Sequence, residues 1–372
     1  MRLSFVGRSA PDVGISLELQ LVDAETLLPL PAAQELLSQL QDEPGFAPSL
    51  YQSAIQLSTQ IQPTIADCEG SLRPLLERLH QLSGQQGLAL LASGSHPIQG
   101  WREMHLSQDV RHEAFIRRLQ WVGRRAAVFG LRIHVGVPDG EKAIALCNSL
   151  ASVLPILLAL SGSSPYWRGV DTGLASCRVR VIENIPNAGL PPNLLNFGEF
   201  QAYVRTLRAA ESIERVTDIL WDIRPNLQLG TLELQVCDAP HTVQETLALA
   251  ALTQALVVWM LERYEEGEPI PFSEPWIARE NKWRAARFGI DAELVHTAEG
   301  ELRPLRTLFH QLRERLAEVT ERHGLEPHLA RLDALFAEGP GYMRQRRVGK
   351  VQGLQAVCQL LRDELLADRA LG

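Results

Sequence analysis

The chain has 372 residues, of which 45% are hydrophobic, and a formal net charge of -8 at pH 7. This composition provides for a large core and excludes a disordered chain, while the acidic balance argues against a nucleic-acid-binding protein. The five cysteines show no C-x-x-C spacing, so we expect no zinc or dithiol site and infer a reducing, cytoplasmic location. The most apolar stretch, 151–160, is too short to cross a bilayer, which takes about 20 residues.

The first half of the chain contains three segments in which polar and apolar residues alternate. They cover residues 15–22, 55–62 and 131–137. Because alternate side chains of a strand point to opposite faces, each segment predicts a strand with one apolar and one polar face. In the segment 55–62 the polar side carries Gln56, Ser58, Gln60 and Gln62. The side chains expected to share one surface are Ser16, Glu18, Gln20, Ser58, Gln62, Arg132 and His134.

Apolar residues at helical spacing predict helices between and after these strands. The longest is a predicted amphipathic helix at 242–264, preceded by a strand at 229–236 that carries Thr231, Glu233 and Gln235 on one side. Residues 177–182 are predicted as a short strand. The glycines and basic residues of 339–353 predict a mobile interruption of the C-terminal helices. The other predicted helices cover 68–84, 113–129 and 140–160, the last broken at Pro155.

These elements indicate an α+β fold, with a largely antiparallel sheet whose apolar face is covered by helices and whose polar face binds a ligand. No linker divides the sequence, so we predict a single domain over 1–372, with a helical part from about 240 to 372 packed on it. A merely solvated sheet face is the alternative. The ligand-binding interpretation requires that Ser16, Glu18, Arg132, His134, Thr231 and Glu233 share one face.

Three loop motifs carry further polar candidates. His96 lies in a Gly-Ser-His-Pro loop, where a structural role and a functional role both remain open. The Ser- and Gly-rich residues 161–173 could hold an anion through backbone N–H groups. Arg224, in Trp-Asp-Ile-Arg-Pro, could bind a carboxylate or phosphate with two hydrogen bonds or form a surface pair with Asp222. G-x-S-x-G, H-E-x-x-H and G-x-G-x-x-G motifs are absent from the sequence.

In order, these segments resemble the motifs of the glutamate–cysteine ligase type 2 family of carboxylate–amine ligases. Residues 14–18 resemble its G-[IV]-E-x-E strand, residues 94–97 its G-T-H-P loop, and residues 129–136 its F-G-x-H-V-H-V-G strand. Similar matches follow at 164–178, at 221–225 (W-D-x-R-P), at 230–238 (G-T-x-E-x-R-x-x-D) and at 281–289. The resemblance covers nearly the whole chain and implies the glutamine synthetase/glutamate–cysteine ligase-like fold.

The resemblance also implies ATP-dependent joining of a carboxylate to an amine through an acyl phosphate, with ATP and Mg²⁺ as cofactors. Its substrates would be amino acids or other small carboxylates and amines, with no nucleic-acid or membrane partner and with a homo-oligomer left open. The residues it assigns to catalysis are Glu18, Glu233, Arg178 and Arg224; to cofactor binding, Arg132, His134, His96, Asn281 and Arg287; and to metal binding, Glu18 and Glu233.

The sequence departs from the family's motifs at positions that would bear on metal binding. Where the family has carboxylates, this sequence has Ser16, Ser58 and Gln62. Where the family has a histidine it has Arg132, and where the family has an arginine it has Gln235. Because Mg²⁺ prefers anionic oxygens, the metal site is expected to be degenerate. Two hypotheses follow: a ligase with altered metal or substrate use, or a catalytically silent homologue that binds an anion or a protein partner. A nucleic-acid binder through 344–350 is disfavoured by the acidic charge.

A solvated polar face also predicts how Glu18 and Glu233 contribute to folding. Truncation of a surface carboxylate leaves little cavity, so Glu18→Ala and Glu233→Ala are expected to change the free energy of unfolding by about 0.5 kcal/mol or less. Both residues would then matter more to ligand binding than to stability.

Overall fold

The computed structural model describes residues 3–41 and 43–370. The β-strands within these ranges are β1 (Val13–Asp23), β2 (Phe46–Pro48), β3 (Ala54–Ser58), β4 (Leu88–Leu91), β5 (Leu131–Gly136), β6 (Tyr166–Trp167), β7 (Val170–Asp171), β8 (Ala188–Gly189), β9 (Leu220–Trp221), β10 (Ile223–Asn226), β11 (Thr231–Leu234), β12 (Glu293–Val295) and β13 (Leu302–Pro304).

The α-helices alternate with the strands in the first half of the chain and dominate the second half. They are α1 (Ala33–Gln39), α2 (Ile65–Gln85), α3 (Val110–Arg124), α4 (Gly140–Leu150), α5 (Leu154–Ser161), α6 (Cys177–Ile182), α7 (Phe197–Ala209), α8 (Val243–Glu265), α9 (Pro275–Phe288), α10 (Leu305–Arg322), α11 (Glu326–Glu338), α12 (Gly341–Gln352) and α13 (Leu354–Ala370).

One antiparallel sheet organises the fold. Its strand order is β10-β11-β5-β1-β3-β2, and β4 pairs with the second half of β1. The odd-numbered residues of β1, from Val13 to Leu21, are buried in the main core. The helices α2 and α8 pack against this face of the sheet. The prediction of an α+β fold with a largely antiparallel sheet and helices on its apolar side is confirmed.

The helix α8 lies at the centre of the core. The sequence suggested an amphipathic helix, but its side chains are buried almost continuously from Val243 to Val258. Among the described residues it is the helix long and apolar enough to cross a membrane, and 89% of that apolar window is buried inside the protein. The helices α4 and α5 are long and apolar enough to cross a membrane only if they are counted as one span, and the angle between them is 66°.

Two segment predictions are wrong. Residues 177–182 form the helix α6, because the Ser176 side chain accepts a hydrogen bond from the backbone N–H of Val179 and caps a helix. The alternation of Arg178 and Arg180 with Val179 and Val181 covers only six residues, which is too short to distinguish a strand from a helix by its pattern. The basic segment near the C-terminus is also ordered as α12, since Tyr342 and Gln345 are buried and Arg344 binds Glu364.

Candidate active site

The polar face of the sheet carries the predicted constellation. Ser16 lies opposite Ser58 on one neighbouring strand and opposite Arg132 on the other. Glu233 lies opposite His134 on one side and Arg224 on the other. Paired residues of antiparallel strands share a face, so Glu18 and Glu233 lie on the same face, as the ligand-binding interpretation requires. We call this surface the polar face; its members are Ser16, Glu18, Gln20, Gln56, Ser58, Arg132, His134, Arg224, Thr231 and Glu233.

Glu18 is held at one end of the polar face by three neighbours. Its Oε1 accepts a hydrogen bond from Ser49 Oγ at 3.0 Å, and its Oε2 accepts one from the backbone N–H of Gly130 at 3.0 Å. The Arg132 guanidinium lies 3.7 Å from Oε1 and donates to Gln56 Oε1 at 2.7 Å. Arg132 therefore spans the strand that carries Ser16 and keeps a partly solvent-exposed cation beside the Glu18 carboxylate.

Glu233 is bound more completely at the other end. Arg224 donates to Oε1 at 2.9 Å and to Oε2 at 3.2 Å, and Asn226 Nδ2 donates to Oε2 at 3.0 Å. Burial raises the pKa of Glu233, but the charge of Arg224 and its hydrogen bonds to the carboxylate outweigh this effect and hold that pKa far below its ordinary value. Arg224 also donates to the carbonyl oxygen of Thr217 at 2.7 Å. Both side chains thus have their main polar atoms satisfied inside the protein.

The burial of Glu233 overturns the premise of a solvated face at this end. Glu233 is 3% exposed and Arg224 is 7% exposed. Removal of either side chain would leave a buried charge without its partner, which costs far more than removal of a surface carboxylate. Glu233→Ala is therefore expected to lower stability well beyond the change of about 0.5 kcal/mol that a solvated face predicts.

His134 lies between the two ends as a neutral imidazole. Its Nδ1 is 3.1 Å from Thr231 Oγ1. Burial lowers its pKa, and the nearby Arg224 and Arg132 add to this effect while Glu233 opposes it. At neutral pH the ring therefore offers one N–H donor and one acceptor rather than a positive charge.

Two glutamines predicted on the polar face form hydrogen bonds with residues outside it. Gln235 follows the end of β11 and donates to the carbonyl oxygen of Trp221 at 2.6 Å. Gln62 follows β3 and donates to Ser71 of α2 at 3.2 Å, on the helix side of the sheet. Because Gln62 lies opposite Val13, extrapolation of the two-residue period beyond Ser58 assigned it to the wrong face.

Arg178 is buried beside the polar face rather than on it. Its two terminal nitrogens donate to the carbonyl oxygens of Val236 at 3.2 Å and Gln235 at 3.0 Å. Its guanidinium packs so closely on Gly130 that a Cβ at that glycine would lie 2.2 Å from Nη2. This contact places Arg178 behind the peptide that binds Glu18, where it supports the backbone of the site.

His96 has both ring nitrogens bound to the backbone. Nε2 lies 3.0 Å from the carbonyl oxygen of Leu27, and Nδ1 accepts hydrogen bonds from the N–H groups of Ile98 and Gln99 at 3.2 and 3.0 Å. Burial lowers the pKa of His96 to about 4, although the bond to Leu27 opposes this effect. The geometry therefore supports a structural role in the Gly-Ser-His-Pro loop and leaves neither nitrogen for a cofactor.

The neutral state of His96 predicts a pH-dependent stability. Its folded pKa of about 4 lies below the ordinary value of 6.5, so the unfolded chain binds more protons between these values and stability falls as pH drops through this window. The contribution of His96 between pH 7 and pH 5 is about 2 kcal/mol. In urea unfolding at both pH values, His96→Gln is expected to lose most of this difference, whereas the half-exposed control His323→Gln is expected to keep it. An unchanged pH dependence in His96→Gln would contradict the assignment.

The two candidates on α9 lie in structural contacts away from the polar face. Asn281 forms two hydrogen bonds with the backbone of Val295, at 2.8 and 2.7 Å, and so fastens β12 to α9. Arg287 donates to the carbonyl oxygen of Gly173 and lies over the ring of Phe288. Among the hydrogen bonds and ion pairs of the described residues, neither Asn281 nor Arg287 binds Glu18 or Glu233.

The Ser- and Gly-rich loop holds an anion, but that anion is an internal carboxylate. Asp238 accepts hydrogen bonds from the backbone N–H of Ser163 at 3.0 Å, from Ser164 Oγ at 2.6 Å and from Ser176 Oγ at 2.7 Å. Asp238 is fully buried. The loop is therefore tied to the end of the sheet through the N–H of Ser163 and the hydroxyl of Ser164, both directed at Asp238.

Sequence reasoning missed two residues that shape the site. Gln56 pairs with Glu18 and binds Arg132. The alternation at 55–62 puts it on the polar side of its strand, but it was not counted among the candidate ligand-binding residues. Lys282, 1% exposed, lies 2.5 Å from Asp222 and 2.6 Å from Glu183. It anchors α9 to the residue before β10. A buried lysine with two carboxylate partners has no local sequence signal, because the three residues are far apart in the chain.

The donor atoms of the polar face do not fit a magnesium ion. Mg²⁺ takes hard oxygen ligands in octahedral geometry. Glu18 and Glu233 are paired with Arg132 and Arg224, and within residues 3–41 and 43–370 no group of three or more metal-binding side chains is assembled. Ser16 and Ser58, which bind each other at 3.0 Å, contribute only neutral oxygens. The assignment of Glu18 and Glu233 as metal ligands is therefore not supported by their surroundings.

The geometry defines a carboxylate–amine ligase-like fold, and comparison with known proteins gives the family. The sequence profile of glutamate–cysteine ligase family 2 matches residues 12–359. A relative from Gloeobacter violaceus, provisionally named glutamate–cysteine ligase 2, is 38% identical over 94% of this chain and 95% of its own length. A provisionally named counterpart from Thermobifida fusca is 36% identical over 95% and 90%. The chain belongs to glutamate–cysteine ligase family 2.

Solved structures support the same fold. The glutamate–cysteine ligase of Francisella tularensis, in complex with AMP, aligns with a TM-score of 0.69 at 12% identity and covers 98% of this chain and 92% of its own. The bifunctional glutathione synthetase of Pasteurella multocida aligns with a TM-score of 0.67 at 15% identity over 97% of this chain and 52% of its own. At these identities the likeness concerns the fold, and the predicted ligase-like fold is confirmed.

Proposed function

We propose that this protein is an ATP-dependent carboxylate–amine ligase that binds its anionic reactants at the polar face. Family membership over nearly the whole chain supports the reaction class. The observation that carries the proposal is the convergence of Glu18, Arg132 and His134 with the Glu233–Arg224 pair on one partly enclosed face. The AMP bound to the related Francisella enzyme is consistent with a nucleotide as one reactant.

The reaction proposed is the one that the family's chemistry implies. A carboxylate oxygen attacks the γ-phosphorus of ATP, which forms an acyl phosphate and releases ADP; the amine then attacks the acyl carbon and releases phosphate. The substrates are amino acids or other small carboxylates and amines. The partly exposed Arg132 offers a fixed positive charge for phosphate or carboxylate oxygens, while Arg224 is committed to Glu233.

We further propose that the chain acts as one ligase-like domain over 1–372 in the cytoplasm, without a nucleic-acid or membrane partner. The helical part beyond about residue 240 belongs to the same unit, since α8 packs on β5 and α13 packs on β4. A homo-oligomer is compatible with this proposal.

A second candidate function rests on the arginine pairing of both carboxylates. A face without an acidic metal set lacks the charge pattern that phosphoryl transfer ordinarily uses. The alternative is a silent homologue that binds an anion or a protein partner at the polar face and does not turn over ATP. The same structural observation that disfavours magnesium favours this candidate.

An ADP-release assay separates the two functions. The assay contains the protein, ATP and a panel of amino acids. If the protein is a ligase, release of ADP should require both a carboxylate substrate and an amine substrate. It should fall by roughly 100-fold in Glu18→Gln, the scale of removing one electrostatic group from an active site. Glu314→Gln, an exposed carboxylate on α10, serves as the control and should not change the rate. Binding of ATP or another anion without ADP release would establish the silent homologue.

A further inference from the structure

A cleft of about 260 Å³ lies between α3 and the segment that precedes it. This segment runs beside residues 50–52, because His105 accepts a hydrogen bond from Gln52 and Ser107 donates one to Leu50, both at 2.9 Å. Residue 49, immediately before them, is the serine that binds Glu18. The cleft is therefore next to the Glu18 end of the polar face. Its lining residues are Leu106, Ser107, His112, Glu113, Ile116, Arg117, Gln120 and Arg124.

The charged side chains of the cleft are mostly basic. Arg111 and Arg118, on the same helix, are neutralised by Asp109 at 2.9 Å and Asp218 at 3.0 Å. Arg117 and Arg124 line the cleft, and within the described ranges neither forms an ion pair with a carboxylate. One carboxylate, Glu113, also lines it. The cleft therefore carries two uncommitted guanidinium groups against one carboxylate.

His112 lies in the wall of the cleft. Its Nδ1 is buried and has no hydrogen-bond partner in the described part of the chain. Buried polar atoms are normally paired, so this nitrogen is an unused hydrogen-bonding atom in the wall of a cleft that lies next to the Glu18 end of the polar face.

We propose that this cleft is an anion subsite that takes the second charged group of a ligand whose first charged group lies at Arg132. Arg117 and Arg124 would bind the phosphate or carboxylate oxygens of that second group, and His112 would contact the connecting part of the ligand. The ligand class is a small molecule with two or more anionic groups. The proposal rests on the proposed function only in placing the first group at Arg132.

The helix α3 is kinked at a residue that lines the cleft. Gln120, which lines the cleft, has φ of +49° and ψ of -124° in the middle of the helix. A non-glycine residue with positive φ is uncommon and is retained where its surroundings hold it. Tyr51 donates a hydrogen bond to the carbonyl oxygen of Arg124 and so fixes the far end of the same helix to the β2–β3 connection.

Calorimetric titration of the full chain with three probes tests the subsite. Inorganic phosphate has one anionic group. Inorganic tripolyphosphate has several phosphate groups, and glutarate has two carboxylate groups. Arg117→Gln/Arg124→Gln is expected to weaken binding of tripolyphosphate or glutarate at least tenfold while phosphate binding changes less than twofold. Whichever of the two longer probes loses affinity identifies the source of the second group. The control Arg279→Gln/Arg315→Gln removes two exposed positive charges on α9 and α10 and should change no titration by more than twofold.

The outcomes separate this inference from the proposed function. If the Arg117/Arg124 variant binds every probe like the parent while Arg132→Ala weakens phosphate binding, the subsite is rejected and the proposed function stands. An equal loss in the Arg279/Arg315 control would also reject it, because the effect would then be one of net charge. If the parent binds none of the probes at millimolar concentration, both the subsite and the anion-binding polar face are rejected.

Discussion

Replacement of Arg132 by alanine is expected to weaken nucleotide or phosphate binding by roughly 1.5–3 kcal/mol, the scale of a hydrogen bond to a charged group. Arg132 is the partly exposed cation of the polar face, with 32% of its side chain accessible. Its Nη1 donates to Gln56, which fixes the guanidinium above Ser16 and Ser58. The arginine therefore supplies a positive charge at the polar face without a metal.

Magnesium should change this binding little. Arginine can bind phosphate oxygens with two parallel hydrogen bonds, but the polar face lacks the acidic set that would hold an octahedral ion. Calorimetric titration of the protein with ATP, first with magnesium and then with EDTA, measures how far magnesium changes the affinity for ATP. Arg315→Ala, an exposed arginine on α10, is the matched control and should bind like the parent. Tight, strongly magnesium-dependent ATP binding that survives Arg132→Ala would contradict this account and indicate an ordinary ligase site.

Removal of either partner of the Arg224–Glu233 pair is expected to lower the free energy of unfolding by about 3–5 kcal/mol. Both side chains are nearly inaccessible, and each truncation leaves the other charge buried with incomplete hydrogen bonds. Urea unfolding at pH 7 of Arg224→Ala and Glu233→Ala measures the loss. The exposed pair Arg303–Glu301 provides the control, since Glu301→Ala should cost less than about 1 kcal/mol.

A double variant separates the cost of the orphaned charge from the loss of packing. Arg224→Met/Glu233→Leu keeps side-chain volume and removes both charges, so it should be more stable than either single alanine variant. If Glu233→Ala unfolds within about 0.5 kcal/mol of the parent, the site is solvated in solution and the buried-pair interpretation is wrong. A stability loss in the double variant equal to the sum of the single losses would show that the two residues do not act as a pair.

The strands and their faces could be predicted from the sequence because a strand has a strict two-residue period. The alternation of Ser16, Glu18 and Gln20 with apolar neighbours assigned β1 correctly, and Arg132, His134, Thr231 and Glu233 followed by the same rule. The prediction failed where it extended past the end of β3, at Gln62. It also failed at 177–182, because a short segment of alternating valines and arginines forms a strand or a helix according to its cap and its neighbours.

The sequence by itself determined the fold class and the family, since both depend on local periodicity and on ordered motifs spread over the chain. Only the tertiary structure decided what the polar residues do. It showed that His96 binds backbone atoms, that Asp238 occupies the Ser- and Gly-rich loop, and that arginines neutralise both glutamates of the polar face. The physical reason is that a side chain's role depends on its partners and its burial. His96 is 69 residues from Leu27 and Ser164 is 74 residues from Asp238, so no local pattern records these partners. Arg224 and Glu233, nine residues apart, meet because β10 pairs with β11.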